Sequence, residues 1–383
     1  MNAHKSLRII TPYLTMGGAE RHLSLVLPVL AKNGWKIKLL VLSHEIPLKD
    51  YFNHPNITLL SLGTPSPQKF LPSSLGHLFQ VLKLLTRDFR RDPETLTHFF
   101  LPKAYCIGMT LGKLWKLQGP LVMSRRSLNL YQKRHKILYF ERLLHRFCDA
   151  ILVNSAAIQN QLLQEEHVPK ERIHLIYNGL REAELPSPKT RLPSSFNMVV
   201  VANLIPYKGH LDLFKALSLI KKDLGNSWTL TLVGHDRGIL SSLQQTGQAF
   251  GIDAHIEWIL DSHNPTPFLS KADLGILPSH EEGFSNALLE MMRASLPVIA
   301  TKVGGNEEAI LQGVTGLLVP PHDPDALSKA ILELYQNPKR RLSMGKAGQR
   351  RFQEHFALSA CVAQYEDLYL SLLKNSFPQK RFL

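Results

Sequence analysis

The hydrophobic positions of the chain fall into short apolar runs that alternate with longer amphipathic stretches. Helices are predicted between most of the runs, and the alternation of strand and helix is typical of a parallel sheet covered by helices on both faces. In the first half the predicted strands are Leu7–Pro12, Lys36–Leu42, Ile57–Leu60, Thr97–Phe100, Leu121–Ser124 and Ala150–Asn154.

The same alternation begins again at Met198. The stretch 181–195 before it is rich in proline and serine, which is typical of a linker. We therefore predict an α/β protein with two doubly wound, Rossmann-like domains, at 1–185 and 197–356, joined by a linker at 186–196. Ligands of such sheets bind at the carboxyl ends of the strands, so two domains facing each other would form an interdomain cleft. The second series of predicted strands is Met198–Asn203, Thr229–Val233, His255–Ile259, Ala272–Leu277, Val298–Thr301 and Gly316–Val319.

Composition agrees with two globular domains, since 383 residues with 44% hydrophobic content exceed one ordinary core. No run of about 18 apolar residues predicts a membrane-spanning helix, and the start of the chain lacks the apolar region of a secretory signal. Three scattered cysteines without metal-like spacing are interpreted as reduced core residues. These features predict a cytoplasmic protein.

The net charge of +14 is concentrated in one half of the chain. Residues 1–190 hold 26 Lys/Arg against 13 Asp/Glu, a balance of +13, and residues 191–383 hold 19 against 18, a balance of +1. The first half is predicted to meet an acidic lipid surface, a phosphorylated substrate or nucleic acid; a merely well-solvated surface is the alternative. The basic amphipathic stretch His77–Arg91 favours peripheral membrane contact, although core packing explains it equally well.

Two glutamates, Glu282 and Glu290, bracket the most informative segment, at the transition from the strand Ala272–Leu277 to a helix predicted over Asn286–Ala294. Unpaired N–H groups and the helix dipole favour an anion at such a helix start. Carboxylates on either side would suit a ligand with hydroxyl groups at both ends and an anionic middle, as in a nucleotide sugar. A solvated helix face is the alternative explanation.

Glycine and lysine residues follow other strand ends. Gly17 and Gly18 precede a helix that is predicted to end near Lys32, and they either let the backbone approach a ligand or form an ordinary turn. Lys208, just past the first strand of the second domain, is placed to neutralise a diphosphate, and Gly234 ends the next strand. The spacing of a nicotinamide or flavin fingerprint is absent.

Downstream of the glutamates come the strand Pro297-Val298-Ile299-Ala300-Thr301 and the turn Gly304-Gly305-Asn306-Glu307-Glu308. This order resembles family 4 glycosyltransferases, retaining enzymes of the GT-B fold with a Glu-x7-Glu motif. The resemblance covers nearly the whole chain and is strongest over residues 279–320.

The resemblance implies a role for each matching residue. Glu282 would contact hydroxyls of the donor sugar, Glu290 would hold the ribose diol, and Lys208 would contact the diphosphate. Gly17 and Gly18 would lie close to the transferred group and the acceptor. The remaining donor-binding candidates are Asn203, Gly234, Gly283, Phe284, Ser285 and Asn286.

Two of the chain's departures from the family pattern concern candidate ligand contacts. Asn203 stands where relatives often carry an arginine, so part of the diphosphate charge would be met elsewhere. Arginines occupy the strand end where relatives keep a histidine, so Arg125 and Arg126 become candidate acceptor or phosphate contacts, with His98 as a further candidate. Adjacent strand residues point to opposite faces, so at most one of the two arginines should face the ligand.

The resulting expectation is a hexose-transferring enzyme that uses a UDP- or GDP-linked sugar, transfers with retention and needs no cofactor or metal. A lipid-linked or anionic glycan at the inner face of the cytoplasmic membrane is the expected acceptor, as in cell-surface polysaccharide or lipopolysaccharide assembly. The helix predicted at 357–373 would, by analogy, pack back on the first domain. A sugar-nucleotide 2-epimerase and a non-catalytic cationic binding protein are the alternatives; no nucleic-acid-binding motif supports a nucleic-acid partner.

Overall fold

The computed structural model describes residues 5–15, 17–63, 72–129, 138–182, 195–260, 262 and 264–376. The chain divides into two compact units. The first unit runs to Gly179 and takes up the chain again at Leu358, and the second spans Leu180–Ala357. The linker predicted at 186–196 lies outside the described residues apart from its last two, and the second of these, Phe196, already opens a strand.

The first unit is built on a parallel sheet whose described strands lie in the order β3-β2-β1-β4-β5-β6-β7. The six strands predicted for this half are confirmed to within two residues at either end. The three-residue β7 was not predicted, because so short a run carries no period. The strands are β1 Ser6–Thr11, β2 Lys36–Val41, β3 Ile57–Ser61, β4 Leu96–Phe100, β5 Leu121–Arg125, β6 Ala150–Val153 and β7 Ile173–Leu175.

Helices cover both faces of this sheet, and their apolar residues explain their placement. In the second helix Val81, Leu85 and Phe89 recur every four residues and are buried, while Lys83 and Arg87 on the opposite face are exposed. The helices before the second unit are α1 Gly18–Lys32, α2 Pro72–Arg91, α3 Pro102–Leu114, α4 Leu138–His145 and α5 Ala156–Gln164.

The second unit repeats the architecture with a parallel sheet in the order β10-β9-β8-β11-β12-β13. The predicted α/β fold with two doubly wound domains is thereby confirmed. The strands are β8 Phe196–Val201, β9 Trp228–Val233, β10 Ile256–Ile259, β11 Leu274–Leu277, β12 Val298–Thr301 and β13 Gly316–Val319. The helices are α6 His210–Leu224, α7 Leu240–Phe250, α8 Thr266–Lys271, α9 Asn286–Arg293, α10 Asn306–Ala309, α11 Pro324–Gln336 and α12 Pro338–His355.

The last helix, α13 Leu358–Ser376, belongs to the first unit. Its buried residues Cys361, Tyr365 and Tyr369 join the same core as α1, β1 and β2. Its Glu366 accepts a hydrogen bond from Trp35 Nε1 at 2.8 Å. Within the part of the chain that the structure describes, no helix is both long and apolar enough to cross a bilayer.

Candidate functional site

The centre of the second sheet is a topological switch point. From β8 the chain proceeds to β9 on one side, whereas β11, the other neighbour of β8, leads to β12 on the opposite side. Ligands of open α/β sheets bind at such a point, beyond the carboxyl ends of the strands. Two segments leave the sheet there: 202–209 after β8 and 278–285 after β11. We name them the lysine loop and the glutamate loop.

Lys208 and Glu282 join these two loops. Lys208 Nζ lies 2.6 Å from Glu282 Oε1, and the Ser279 hydroxyl donates to the same oxygen at 2.8 Å. A backbone hydrogen bond of 2.7 Å from His280 N–H to Tyr207 O runs alongside. Both charged side chains keep some exposed surface, 18% for Lys208 and 9% for Glu282. Two sequence-predicted residues are thus in direct contact and accessible to a ligand.

Two glycines allow the close approach of the loops that surround this pair. Gly209 has φ +71°, and a Cβ atom there would lie 1.9 Å from Pro278 O. Gly304, with φ +52°, would place a Cβ 1.9 Å from Glu282 O. Any larger residue would be strained and would push the glutamate loop out of position.

The glutamate loop ends in the capped start of α9. The Ser285 hydroxyl accepts a hydrogen bond from Leu288 N–H at 3.3 Å, and Asn286 is the first helical residue. Glu290, one turn into the helix, is 1% exposed. The two glutamates of the motif therefore occupy different environments, with Glu282 in a loop and Glu290 in the interior.

The neighbouring residues Gly283 and Phe284 have different structural roles. Gly283 accepts a hydrogen bond from Gly305 N–H at 2.9 Å, which ties the loop to the turn after β12. The Phe284 ring is buried, and its centroid lies 5.4 Å from that of Phe356. The Phe284 side chain therefore anchors the loop, and any contact with a ligand would come from its backbone.

Asn203 and Gly234 connect the lysine loop to the end of β9. Asn203 Oδ1 accepts a hydrogen bond from His235 N–H at 3.2 Å, and a Cβ on Gly234 would lie 2.1 Å from Ala202 O. Both residues thus shape the backbone beside Lys208.

Sequence reasoning missed two residues at this site. Ser279 follows the strand end directly, and its polarity after an apolar run was the available signal. His210 follows Gly209, is 1% exposed, and neither ring nitrogen has a hydrogen-bond partner among the described residues. Burial, with a smaller effect of the Lys208 charge, lowers the pKa of His210 to about 4, so its imidazole is neutral at pH 7.

In the first unit, Gly17 and Gly18 lie where predicted, at the start of α1. A Cβ on Gly17 would lie 2.3 Å from Glu20 Oε2. Glu20 itself is buried, which raises its pKa. The glycine therefore makes room for a buried carboxylate one turn further on, a residue that the sequence reasoning did not select.

His98 is enclosed in the core, which argues against the predicted acceptor or phosphate contact. It lies in the middle of β4 and is 0% exposed. Its ring nitrogens are both engaged, Nδ1 with the Tyr369 hydroxyl at 2.6 Å and Nε2 with the Ser124 hydroxyl at 2.8 Å. Burial, aided by the nearby Arg126 charge, lowers its pKa to about 3. The prediction that His98 contacts a ligand is therefore wrong.

Arg125 is likewise a structural residue, contrary to the prediction. Its guanidinium is 1% exposed, pairs with the buried carboxylate of Glu141 and lies 2.6 Å from Glu166. Arg126 points the other way, as strand alternation requires, and donates to Asn178 and to the Tyr365 hydroxyl at 3.4 Å. Arg126 keeps exposed surface, so it alone of the pair remains a candidate contact.

Two doubly wound units, the second with two loops in contact at a switch point, define the class: a GT-B-type α/β protein. Residues 186–351 match the family model described as "Glycosyl transferases group 1", and residues 16–184 match that described as "Glycosyltransferase Family 4". The chain belongs to the glycosyltransferase group that these two models describe, as the sequence motifs indicated.

Similar proteins agree with this placement. An uncharacterized glycosyltransferase of Methanocaldococcus jannaschii is 28% identical over 279 residues, which cover 72% of this chain and 74% of that protein. D-inositol 3-phosphate glycosyltransferase of Corynebacterium aurimucosum is 24% identical and covers 80% of this chain and 79% of its own length. The crystal structure of Anabaena HepE in complex with UDP-glucose superposes with a TM-score of 0.80 at 20% identity, over 96% of this chain and 99% of that one.

Proposed function

We propose that this glycosyltransferase takes its sugar from a nucleotide-sugar donor held by the second unit. The observation that carries the proposal is the 2.6 Å contact of Lys208 with Glu282, which joins the two loops at the switch point. An ammonium group there can exchange its carboxylate partner for a diphosphate oxygen. Glu282 is then released to accept hydrogen bonds from sugar hydroxyls.

The rest of the glutamate loop suits the remaining parts of such a donor. The N-terminus of α9, an eight-residue helix capped by Ser285, offers backbone N–H groups and a favourable dipole to the phosphates. Glu290, buried one turn further on, is assigned to the ribose diol. Electrostatic stabilisation of the departing diphosphate by Lys208 and these N–H groups would supply much of the rate.

We propose transfer with retention by a front-face route. In this route no covalent bond forms between the sugar and the protein, and the leaving phosphate oxygen takes the proton of the acceptor hydroxyl. Lys208 and the α9 N-terminus would neutralise the charge of the diphosphate, as a divalent ion does in other enzymes. Undiminished transfer after treatment with EDTA is the expected result, and its loss would contradict this part of the proposal.

The nucleotide is proposed to be UDP or GDP. HepE, which shares the fold, binds UDP-glucose, and this favours UDP. The test is thermal stabilisation of the full chain by UDP, GDP, ADP and CMP. The true nucleotide at 100 times its Kd should add about 2.7 kcal/mol to the free energy of unfolding.

Variants of the two glutamates separate their roles. Glu290→Ala should lose most of the nucleotide-induced stabilisation, whereas Glu282→Gln should keep it and lose transfer. Glu354→Ala, an exposed glutamate on α12, is the matched control and should change neither. Full stabilisation of Glu290→Ala by the nucleotide would remove Glu290 from the ribose role.

The acceptor is proposed to be a lipid-linked or anionic glycan reached at the cytoplasmic face of a membrane. Helices α2, α3 and α4 pack their apolar residues on one face of the first sheet and present a basic outer surface. Among the described side chains of these helices no acidic group is exposed. Two large apolar side chains, Phe79 and Tyr139, are 71% and 81% exposed on the same helices. Cationic and apolar groups together favour an anionic lipid surface.

Binding to vesicles tests the membrane part. The double variant Lys83→Glu/Arg87→Glu should bind anionic vesicles at least tenfold more weakly, because each basic residue near the surface contributes about 1 kcal/mol. The double variant Lys222→Glu/Lys329→Glu makes the same charge change on exposed lysines of the second unit and should bind as the wild type does. Equal loss in both variants would mean that net charge alone governs binding.

A further inference from the structure

Three side chains with metal-ligand chemistry meet beside the glutamate loop. His280 Nε2 lies 2.8 Å from Asp212 Oδ2, and His322 Nδ1 lies 3.8 Å from the same oxygen. One ligand atom from each residue falls within 4.8 Å of the other two. No other group of three such residues of this compactness occurs in the described part of the chain.

Each of the three is held by a different element of the second unit. Asp212 is in the first turn of α6, directly after Gly209 and its fixed turn. His280 is in the glutamate loop, where its own N–H bonds to Tyr207 O. His322 precedes Asp323, whose side chain caps α11 by accepting from Ala326 N–H at 2.8 Å.

The backbone conformation of His322 is unusual and brings its ring to the other two side chains. Its φ is +59°, in the left-handed region that few residues other than glycine adopt. This turn brings its ring against that of His280, with centroids 3.7 Å apart. Two imidazoles are thereby brought over one carboxylate.

The donor set selects a class of metal. Imidazole nitrogen with a carboxylate suits Zn²⁺, Ni²⁺ and Cu²⁺, whereas Mg²⁺ and Ca²⁺ prefer oxygen ligands alone. Zn²⁺ bonds to such atoms are about 2.0–2.2 Å long, so tetrahedral ligand atoms lie about 3.4 Å apart. Two of the three ligand-atom separations, 2.8 and 3.8 Å, bracket that value, and the third is within 4.8 Å.

We propose that Asp212, His280 and His322 form a binding site for a divalent transition metal of the Zn²⁺ class. Three protein ligands leave at least one coordination position to water. All three ligands come from the protein, so binding of the ion needs no nucleotide. His280 is two residues from Glu282, and Asp212 is three from Gly209, so the ion ties the glutamate loop to the first turn of α6. The ion is structural, and transfer proceeds without it.

The experiment is a Zn²⁺ titration of the full chain, followed by competition with a chromophoric chelator. We expect saturable binding of one ion without nucleotide, and at least a tenfold weaker affinity in His322→Asn, since loss of even an outer partner costs 10–100-fold. Asparagine tolerates the left-handed backbone, so this variant should fold. His355→Asn, an exposed histidine on α12, is the matched control and should bind like the wild type.

Two outcomes would overturn the proposal: no saturable Zn²⁺ binding by the wild type, or equal binding by His322→Asn and the wild type. Binding that appears only with UDP would assign the ion to the diphosphate instead. Mg²⁺ at the same concentrations should not compete. Nucleotide-induced stabilisation of His322→Asn, measured without metal, should match that of the wild type. Absence of this stabilisation in both proteins would count against the donor site and leave the metal site standing.

Discussion

The two units share one architecture but use their polar residues in opposite ways. In the first unit Arg125 lies at the end of β5 and His98 lies within β4, and both are enclosed by partners from the same unit. In the second unit Lys208 and Glu282 lie several residues beyond their strands and keep exposed surface. A charged residue on a strand of a sheet covered on both faces has to be neutralised inside the protein. One in a loop past the strand end remains available to a ligand.

The largest effect on stability is expected where a buried charge loses its partner. Arg125→Met leaves Glu141 and Glu166 without the guanidinium, and should lower the free energy of unfolding by about 3–5 kcal/mol, measured by urea denaturation. Arg126→Met, on the half-buried neighbour, is the control and should cost less. Equal losses would mean that Arg125 is no more structural than Arg126.

Lys208→Ala should have the opposite effect from Arg125→Met. It should impair catalysis and leave the free energy of unfolding nearly unchanged. Loss of a donor that stabilises the developing charge lowers kcat about 10²–10³-fold, equivalent to about 2.7–4 kcal/mol. The partly exposed pair with Glu282 contributes at most about 1 kcal/mol to folding. Lys329→Ala, on the exposed side of α11, should change neither rate nor stability. Full activity of the Lys208→Ala enzyme would contradict the role of Lys208 in the proposed function.

Acid should destabilise the protein through its buried histidines. The pKa of His98 is about 3 in the folded state and near 6.5 when unfolded, so only the unfolded chain takes up a proton between these values. Stability is therefore present above pH 6.5 and falls as the pH drops. His98 alone accounts for about 2 kcal/mol between pH 7 and pH 5.

Denaturation curves at the two pH values measure this loss, and His98→Gln should reduce it by about that amount. His210 in the second unit, with a folded pKa of about 4, should behave in the same way when it is replaced by Gln. An unchanged pH dependence in His98→Gln would show that its ring is charged or accessible in the folded state.

The smallest effect comes from a matched pair of helix caps. Ser155 and Ser285 each accept a hydrogen bond from a backbone N–H at 3.3 Å, one at α5 and the other at α9. Replacing either by Ala should cost about 1 kcal/mol of stability. Only Ser285→Ala should also weaken nucleotide binding; a similar weakening in Ser155→Ala would point to general loosening.

The sequence predicted the strands of the second unit and the loop positions of Lys208 and Glu282, for identifiable physical reasons. Strands buried on both faces are nearly continuous apolar runs, and the loops that follow them carry the ligand-binding residues. Lys208 and Glu282 were therefore recognisable from their positions after β8 and β11.

The same reasoning failed where the deciding partner lies far along the chain. Nothing near Arg125 showed that Glu141 and Glu166 would enclose it, since these come 16 and 41 residues later. His98 is closed off by Tyr369, 271 residues away, and Asp212 meets His280 across 68 residues. Such contacts depend on how separate elements pack, which local periodicity does not encode.

The return of α13 to the first unit has a consequence for the order of folding during synthesis. Tyr365, Glu366 and Tyr369 complete contacts with His22, Trp35 and His98. Synthesis makes those three partners before the second unit and the helix after it. The second unit, whose residues all precede Leu358, can fold before α13 is available, whereas the first unit keeps an open core until α13 packs against it. A purified chain truncated after residue 357 should thus contain a protease-resistant second unit and a protease-sensitive first unit.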